Sequence, residues 1–194
     1  QGIQEFYDKK SVTYLNAINP ELGAIDREEY SVKNPEEWDD KVNESVEYFQ
    51  NLAHNIKLKS KDERTQVGAV VVGKDKEIVS TGYNSFPRGI NDEVAKRQER
   101  PEKYYWFEHA ERNAIYNAAR IGVSTKGCTM YLTCGVPCAD CTRGIINAGI
   151  VRIFCERNQG PSSDIWSEHS ERSWDMLEEA GVKVCFYDSE TSGI

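Results

Sequence analysis

The chain lacks the features that would place it in a membrane or on a nucleic acid. No stretch approaches the ~20 consecutive apolar residues that a transmembrane helix needs, and no basic segment followed by an apolar one marks the N-terminus as a secretory signal. Long basic runs are also missing, and 24 Lys and Arg stand against 32 Asp and Glu, a formal net charge of −8. Proteins that bind nucleic acid backbones normally present a positive face. We therefore expect a cytoplasmic protein with no membrane partner, and the composition argues against a nucleic-acid partner.

Histidine is also scarce, with three residues in 194, whereas cysteine is clustered. The six cysteines stand at positions 128, 134, 138, 141, 155 and 185. In a cytoplasmic chain, clustered cysteines indicate metal or thiol chemistry more readily than a disulfide framework. A chain of this length buries enough surface to be stable without disulfides.

The sequence has no internal repeat and no low-complexity block, and it divides into two parts. Residues 1–34 are polar and aperiodic, and we interpret them as an N-terminal extension. Residues 35–194 alternate helical and strand patterns, which predicts one α/β domain with helices on both faces of a sheet. The predicted helices cover 36–59, with its start at Asn34-Pro35, and 109–121, 138–148 and 164–180; the predicted strands cover 67–72, 77–81, 129–133, 150–154 and 182–187. Residues 84–105 are expected to form a functional loop with one helical turn.

Two short motifs, each at the predicted start of a helix, contain the residues suited to chemistry. They are His109-Ala110-Glu111 and Pro137-Cys-Ala-Asp-Cys141. One imidazole and two thiolates form a three-ligand set for Zn²⁺ and leave the fourth tetrahedral position for water, as in catalytic sites. Zinc lowers the pKa of bound water towards about 7, which supplies a nucleophile at neutral pH. The spacing therefore predicts a zinc site at His109, Cys138 and Cys141.

Glu111, two residues after the histidine, suits proton transfer rather than metal ligation. A Cys-x-x-Cys pair alone is also typical of a structural clamp or a redox pair. The combination of His-x-Glu with Pro-Cys-x-x-Cys is the signature of zinc nucleobase deaminases. Cys134 is an alternative ligand, but a fourth protein ligand would close the water position. Cys128, Cys155 and Cys185 are interpreted as small buried apolar residues.

The sequence resembles the deoxycytidylate (dCMP) deaminase family of the cytidine deaminase superfamily over residues 36–187. The motifs that carry the resemblance are Ser60-Lys-Asp-Glu-Arg-Thr65 with Gln66-Val-Gly-Ala69, Thr81-Gly-Tyr-Asn84 with Pro87-x-Gly89, His109-Ala-Glu-Arg-Asn-Ala-Ile115, and Pro137-Cys-Ala-Asp-Cys141. The resemblance implies a three-layer α/β/α fold around a mixed five-stranded sheet, with zinc between two helix starts. It further implies hydrolysis of dCMP to dUMP in pyrimidine nucleotide metabolism, by a homo-oligomer in assemblies up to a hexamer.

The same resemblance implies roles for individual residues. Glu111 would carry protons from water to ring N3 and to the departing ammonia. Asn84 would contact the substrate sugar, and the main chain at Ala110 and near Cys138 would hold the base edge. Asn113 is a weaker candidate for the nucleotide pocket.

The chain departs from the family pattern at two positions, with Ser85 where glycine is frequent and Arg112 where leucine or methionine is frequent. Between Ser85 and Glu108 it lacks the extra cysteine or histidine ligands of some members, so a second zinc is not expected. The family's regulatory nucleotide site, activated by dCTP and inhibited by dTTP, would lie near the loop after Asn84. Because Ser85 adds a side chain there, we expect turnover without dCTP and weak or no inhibition by dTTP.

Alternative functions remain open at this point. The substrate could be deoxycytidine, dCTP or a base-modified dCMP, or, against the acidic composition, tRNA or single-stranded DNA. A catalytically inactive zinc scaffold is the non-enzymatic alternative, and the presence of Glu111 argues against it. Arg88, Arg97 and Arg100 are interpreted as solvated loop charges, one of which could bind a phosphate.

Overall fold

Five strands and the helices between them form the described part of the chain, residues 40–62, 64–156 and 164–187 of a computed structural model. The interpreted extension 1–34 and the predicted helix start at Asn34-Pro35 lie outside these residues. In chain order the elements are α1 (Asp40–Lys57), β1 (Gly68–Val72), β2 (Ile78–Tyr83), a 3-10 helix (Ala95–Gln98), α2 (Lys103–Trp106), α3 (Ala110–Ile121), β3 (Thr129–Leu132), α4 (Ala139–Asn147), β4 (Arg152–Glu156), α5 (Asp164–Glu179) and β5 (Lys183–Tyr187). None of the helices in this part of the chain is both long and apolar enough to cross a bilayer.

The strands form one mixed sheet in the order β2-β1-β3-β4-β5. β1 is antiparallel to both of its neighbours, whereas β3, β4 and β5 are parallel to one another. The β1–β2 pair is a hairpin whose turn includes Lys76 at φ 67°. The predicted mixed five-stranded sheet is therefore confirmed, and the parallel strands place their carboxyl ends at one edge.

Helices cover both faces of the sheet, which confirms the three-layer α/β/α arrangement. On one face, α1 packs Val46, Phe49 and Ala53 against alternate strand residues. On the other face, α3, α4 and α5 contribute buried residues that include Ala114, Ile145 and Leu177. Each fully buried large apolar side chain stabilises the fold by about 1.5–3 kcal/mol relative to an exposed one.

The predicted bounds differ from the observed ones mainly at β4 and in the long loop. The prediction placed β4 at 150–154, but the strand runs from Arg152 to Glu156. Ile150 still caps α4, because its amide donates to the carbonyl of Ile145 at 3.2 Å after Gly149 turns the chain at φ 73°. The loop predicted at 84–105 contains two short helices rather than one turn.

Helix α3 lies directly against the edge strand β2. A β-carbon on Gly82 would stand 2.3 Å from the carbonyl oxygen of Ala110 and 2.4 Å from the nitrogen of Ala114, so only glycine fits. The amide groups of Asn113 and Asn117 donate to the carbonyls of Tyr83 (2.9 Å) and Thr81 (2.7 Å). These contacts fix the start of α3, and with it His109, relative to the sheet.

Candidate metal centre and active site

The two predicted motif residues His109 and Cys138 are the N-cap residues of α3 and α4, which lie side by side on one face of the sheet. Nδ1 of His109 lies 3.4 Å from Sγ of Cys141 and 3.6 Å from Sγ of Cys138. All three ligand atoms lie within 4.8 Å of one another. The structure therefore brings together the three residues that the spacing predicted as ligands.

The geometry and the donor chemistry of this group fit Zn²⁺. With bonds of about 2.0–2.3 Å, tetrahedral zinc ligands lie roughly 3.5–3.8 Å apart, close to the observed nitrogen–sulfur distances. Hydrogen bonds from Cys141 and His109 lower the pKa of Cys138 to about 4, although burial opposes this shift. The positive end of the α4 dipole also favours a thiolate there. His109, Cys138 and Cys141 would therefore hold the metal.

Glu111 is the second residue of α3 and is buried beside this group. Burial raises its pKa above the usual value, and the nearby charge of Cys138 raises it further, while His109 and a hydrogen bond with Cys141 lower it. A carboxyl group with a raised pKa can accept and return a proton near neutral pH. The arrangement therefore supplies a proton-transfer group next to a three-ligand metal centre.

Glu108 and Arg112 support the start of α3. One carboxylate oxygen of Glu108 accepts the amide N–H of His109 at 2.9 Å and Nε–H of Arg112 at 2.6 Å. Nη1 of Arg112 lies 3.8 Å from a carboxylate oxygen of Asp140 on α4. Arg112, a departure from the family pattern, thus connects the two helices that position the ligands.

Among the described residues the ligand group consists of His109, Cys138 and Cys141, and Cys134 does not join it. Burial raises the pKa of its thiol well above the usual value, so it remains protonated. Cys128 and Cys155 are buried as expected, whereas Cys185 is only partly buried. Within the described residues the geometry gives no support to a fourth thiolate ligand.

Asn84 is buried, and its side-chain amide forms hydrogen bonds with backbone groups of the loop before β1. Nδ2 donates to the carbonyl of Thr65 at 2.7 Å, and Oδ1 accepts the N–H of Val67 at 2.8 Å. Asn113 donates to the carbonyl of Tyr83 at 2.9 Å and to Oγ of Ser85 at 3.1 Å, so it holds the residues on either side of Asn84. Their predicted contacts with a substrate stay predictions.

The remaining predicted positions have the following surroundings. Ala110 is fully buried, and its carbonyl faces Gly82. The guanidinium of Arg97 stacks on Trp106 at 3.9 Å, and that of Arg100 lies 5.8 Å from the ring centre of Tyr104. Arg88 donates to the side chain of Asn117. All three arginines therefore contact their own loop or α3.

Sequence reasoning gave no role to Asp62, Lys103 or Glu108, which all anchor the loops around the site. Asp62 lies in the Ser60-Lys-Asp motif, but the motif does not indicate which residue forms an ion pair with Asp62. Glu108 is signalled only by its place before His109. Lys103 stands in an aperiodic charged segment, where nothing in the sequence distinguishes a buried lysine from a solvated one.

Comparison with known proteins agrees with this geometry. Residues 43–157 match the family described as "Cytidine and deoxycytidylate deaminase zinc-binding region". An uncharacterized deaminase in the luxG 3′ region of Aliivibrio fischeri is 39% identical over 136 residues, which cover 70% of this chain and 88% of that protein. Human deoxycytidylate deaminase is 37% identical over 123 residues, covering 61% of this chain and 67% of that protein.

Another relative is matched over less of its length, and a solved structure is matched almost in full. The match to a probable deoxycytidylate deaminase of Caenorhabditis elegans, 40% identical, spans 57% of this chain and 56% of that protein. The crystal structure of dCMP deaminase from the cyanophage S-TIM5, in complex with dCMP and dUMP, superposes with a TM-score of 0.60 at 25% identity over 77% of this chain and 99% of that one. This chain therefore belongs to the zinc-binding family of cytidine and deoxycytidylate deaminases.

Proposed function

We propose that the chain hydrolyses the 4-amino group of dCMP and releases dUMP and ammonia. The observation that carries the proposal is the buried carboxyl group of Glu111 beside the three ligand atoms of His109, Cys138 and Cys141. Relatives at 36% and 37% identity are named as deoxycytidylate deaminases and one at 40% as a probable deoxycytidylate deaminase, which supports the choice of substrate. The acidic net charge of −8 favours a free nucleotide over a nucleic acid.

The chemistry divides between the metal and the carboxylate. Held by His109, Cys138 and Cys141, zinc would lower the pKa of a water molecule and so supply a nucleophile at neutral pH. Glu111 accepts a proton from the water that attacks C4 and delivers it to ring N3. It then transfers a second proton from the attacking oxygen to the amino group, the C4–N4 bond breaks and ammonia leaves. The water oxygen remains as O4 of the uracil ring.

Four sets of atoms would position the nucleotide. Asn84 contacts the sugar, the main chain at Ala110 and near Cys138 holds the base edge, and Asn113 contributes to the nucleotide pocket. The amide of Asn84 donates one of its two N–H bonds to Thr65 among the described residues, which leaves the second for a sugar hydroxyl. The second N–H supports the proposal that Asn84 binds substrate while it also holds the backbone at Thr65 and Val67.

We further propose that the enzyme is a cytoplasmic homo-oligomer, in an assembly of up to six subunits. Exposed apolar side chains near the end of α3, Tyr116, Ile121 and Val123, support a subunit contact there. Closed symmetry is the usual form for such assemblies. Light scattering at micromolar concentration tests this proposal, and a monomer would contradict it.

Ammonia release from a panel of substrates tests the proposed reaction. The panel contains dCMP, CMP, deoxycytidine, dCTP and 5-substituted dCMP, with single-stranded DNA and tRNA as polymeric alternatives. We expect the highest kcat/KM with dCMP. A higher value with another compound would reassign the substrate, and no activity above that of the Glu111→Gln variant would indicate an inactive scaffold.

A further inference from the structure

A buried ion pair joins the loop between β2 and α3 to the loop between α1 and β1. Nζ of Lys103 lies 2.6 Å from Oδ2 of Asp62, and both side chains are 8% exposed. Lys61 and Asp92 join the same two loops, also at 2.6 Å, but their side chains are 65% and 30% exposed. Exposed ion pairs contribute little, whereas breaking a buried pair leaves an uncompensated charge. The pair of Lys103 and Asp62 is therefore the stronger tie between the loops.

Hydrogen bonds lead from this pair to Asn84. The second carboxylate oxygen of Asp62 accepts the amide N–H of Thr65 at 3.3 Å, and the carbonyl of Thr65 accepts Nδ2 of Asn84 at 2.7 Å. Oγ of Ser60 accepts the N–H of Asp62 at 3.2 Å and donates to the carbonyl of Asn84 at 2.8 Å. Asp62 thus holds the loop whose backbone groups at Thr65 and Val67 form hydrogen bonds with the nitrogen and the oxygen of the Asn84 side-chain amide.

The start of α3 has anchors that do not involve this pair. Oγ of Ser80 donates to the carbonyl of Ala114 at 2.7 Å, and Gly82 makes close contact with the backbone of Ala110. Glu108 holds the amide of His109 at 2.9 Å. The ligand group should therefore keep its geometry when the buried pair is removed.

We infer that Lys103 and Asp62 are positioning residues for nucleotide binding, acting through the loop between α1 and β1 on the orientation of Asn84. The inference rests on the proposed function, because Asn84 is there the residue that contacts the sugar. Loss of the pair weakens substrate binding and leaves the metal centre and the chemical step largely intact. A rise in KM without a matching fall in kcat distinguishes this role from a general structural one.

The test compares the buried pair with the exposed one. Lys103→Met, Asp62→Asn and the double variant are matched by Lys61→Met, Asp92→Asn and their double variant. For the buried pair we expect KM for dCMP to rise about tenfold or more, with kcat within about threefold and zinc content unchanged. The double variant should be no worse than the more impaired single variant, because it leaves no unpaired charge. The exposed pair should change KM by less than about twofold.

Several outcomes would overturn the inference. Equal effects from the two pairs, a loss confined to kcat, or loss of zinc from the buried-pair variants would each do so. If Lys103→Met does not fold, Lys103→Arg and Asp62→Glu carry the same test, because they keep both charges but change the geometry of the pair: both alter the side-chain length, and arginine replaces the ammonium with a planar guanidinium.

Failure of the proposed function is distinguishable, because the wild-type protein would then not deaminate dCMP. Hydrogen exchange tests the positioning role without substrate. Asp62→Asn should speed exchange at the amides of Thr65 and Val67 at least about tenfold while the amides of α3 stay protected, relative to Asp92→Asn. Unchanged exchange at Thr65 and Val67 would overturn the inference.

Discussion

Nδ1 of His109 and Sγ of Cys141 lie 3.4 Å apart, although 32 residues separate them in the chain. The two helices that bring them together begin on the same face of the sheet and are joined by the contacts of Arg112. The ligand group is thus a product of the packing of α3 on α4.

The metal content follows from this group. We expect about one zinc per subunit in the purified protein, measured by elemental analysis. Cys138→Ser should lose most of the metal, because it removes one of the three ligand atoms. Cys134→Ser, at a neighbouring cysteine outside the ligand group, should retain it. Two firmly bound zinc ions, or active enzyme without zinc, would contradict the assignment.

Replacement of Glu111 by Gln should abolish turnover and preserve the fold. The amide cannot transfer a proton, so kcat should fall at least about 100-fold. Zinc content and thermal stability should stay near the wild-type values, because Gln has nearly the same volume. Glu47→Gln, at an exposed position on α1, is the control and should be fully active. Near-normal turnover in Glu111→Gln would place the proton-transfer group elsewhere.

The stability of the protein should depend on the charge of Asp62. Burial alone would raise the pKa of Asp62, but Lys103 and the amides of Arg64 and Thr65 lower it below 3.8. A lowered pKa in the folded state contributes stability that is present above the unfolded-state value and is lost as pH falls through the folded-state value.

Urea unfolding across pH measures this contribution. Asp62→Asn should lower the free energy of unfolding by about 3 kcal/mol at pH 7, because Lys103 loses its partner. The difference between the wild type and Asp62→Asn should shrink as the pH falls below about 4. A difference that is constant from pH 7 to pH 3 would show that the charge of Asp62 is not responsible.

Gly82→Ala should displace α3 from the sheet. Its β-carbon would stand 2.3 Å from the carbonyl oxygen of Ala110, and neither backbone can yield without moving the start of the helix. We expect a loss of about 1–3 kcal/mol in stability, with lower zinc content. Gly144→Ala is the matched control, since its β-carbon would meet only side-chain atoms at 3.6 Å or more. That variant should be neutral or stabilised by up to about 1 kcal/mol. Equal stability and zinc content in the two variants would disprove the close contact between Gly82 and α3.

Regulation by nucleotides should be weak. Oγ of Ser85 accepts a hydrogen bond from Asn113, and the backbone of Ser85 pairs with Glu108. Its side chain occupies space that glycine would leave for a phosphate near the backbone. Steady-state rates should therefore show dCMP turnover without dCTP and little inhibition by dTTP. An absolute requirement for dCTP would mean that the regulatory site tolerates Ser85.

The sequence predicted the helices more accurately than the connections between elements. Helical periodicity located α1, and glycines at 122 and 149 ended α3 and α4 as expected. The start of β4 was placed two residues early, because Ile150 and Val151 are strand-forming types but Ile150 completes the cap of α4. Apolar character alone does not distinguish a capping residue from the first residue of a strand.

The ligand residues were predictable only because their spacing forms a known signature. Periodicity places His109 and Cys138 at helix starts but does not show that the helices are neighbours. The contact of Asp62 with Lys103 spans 41 positions and has no local pattern at either end. Burial of a lysine depends on the packing of the whole loop, so sequence reasoning could not find it.

The side chains of Asn113 and Asn117 have an effect on association as well as on the position of α3. Among the described strands β2 lies at the end of the sheet, and the carbonyls of Thr81 and Tyr83 accept N–H bonds from these two amides. An outer strand with free carbonyls is a template on which another chain can add a strand and begin to aggregate. The two asparagines occupy these two carbonyls, so they oppose extension of the sheet by a strand added to β2.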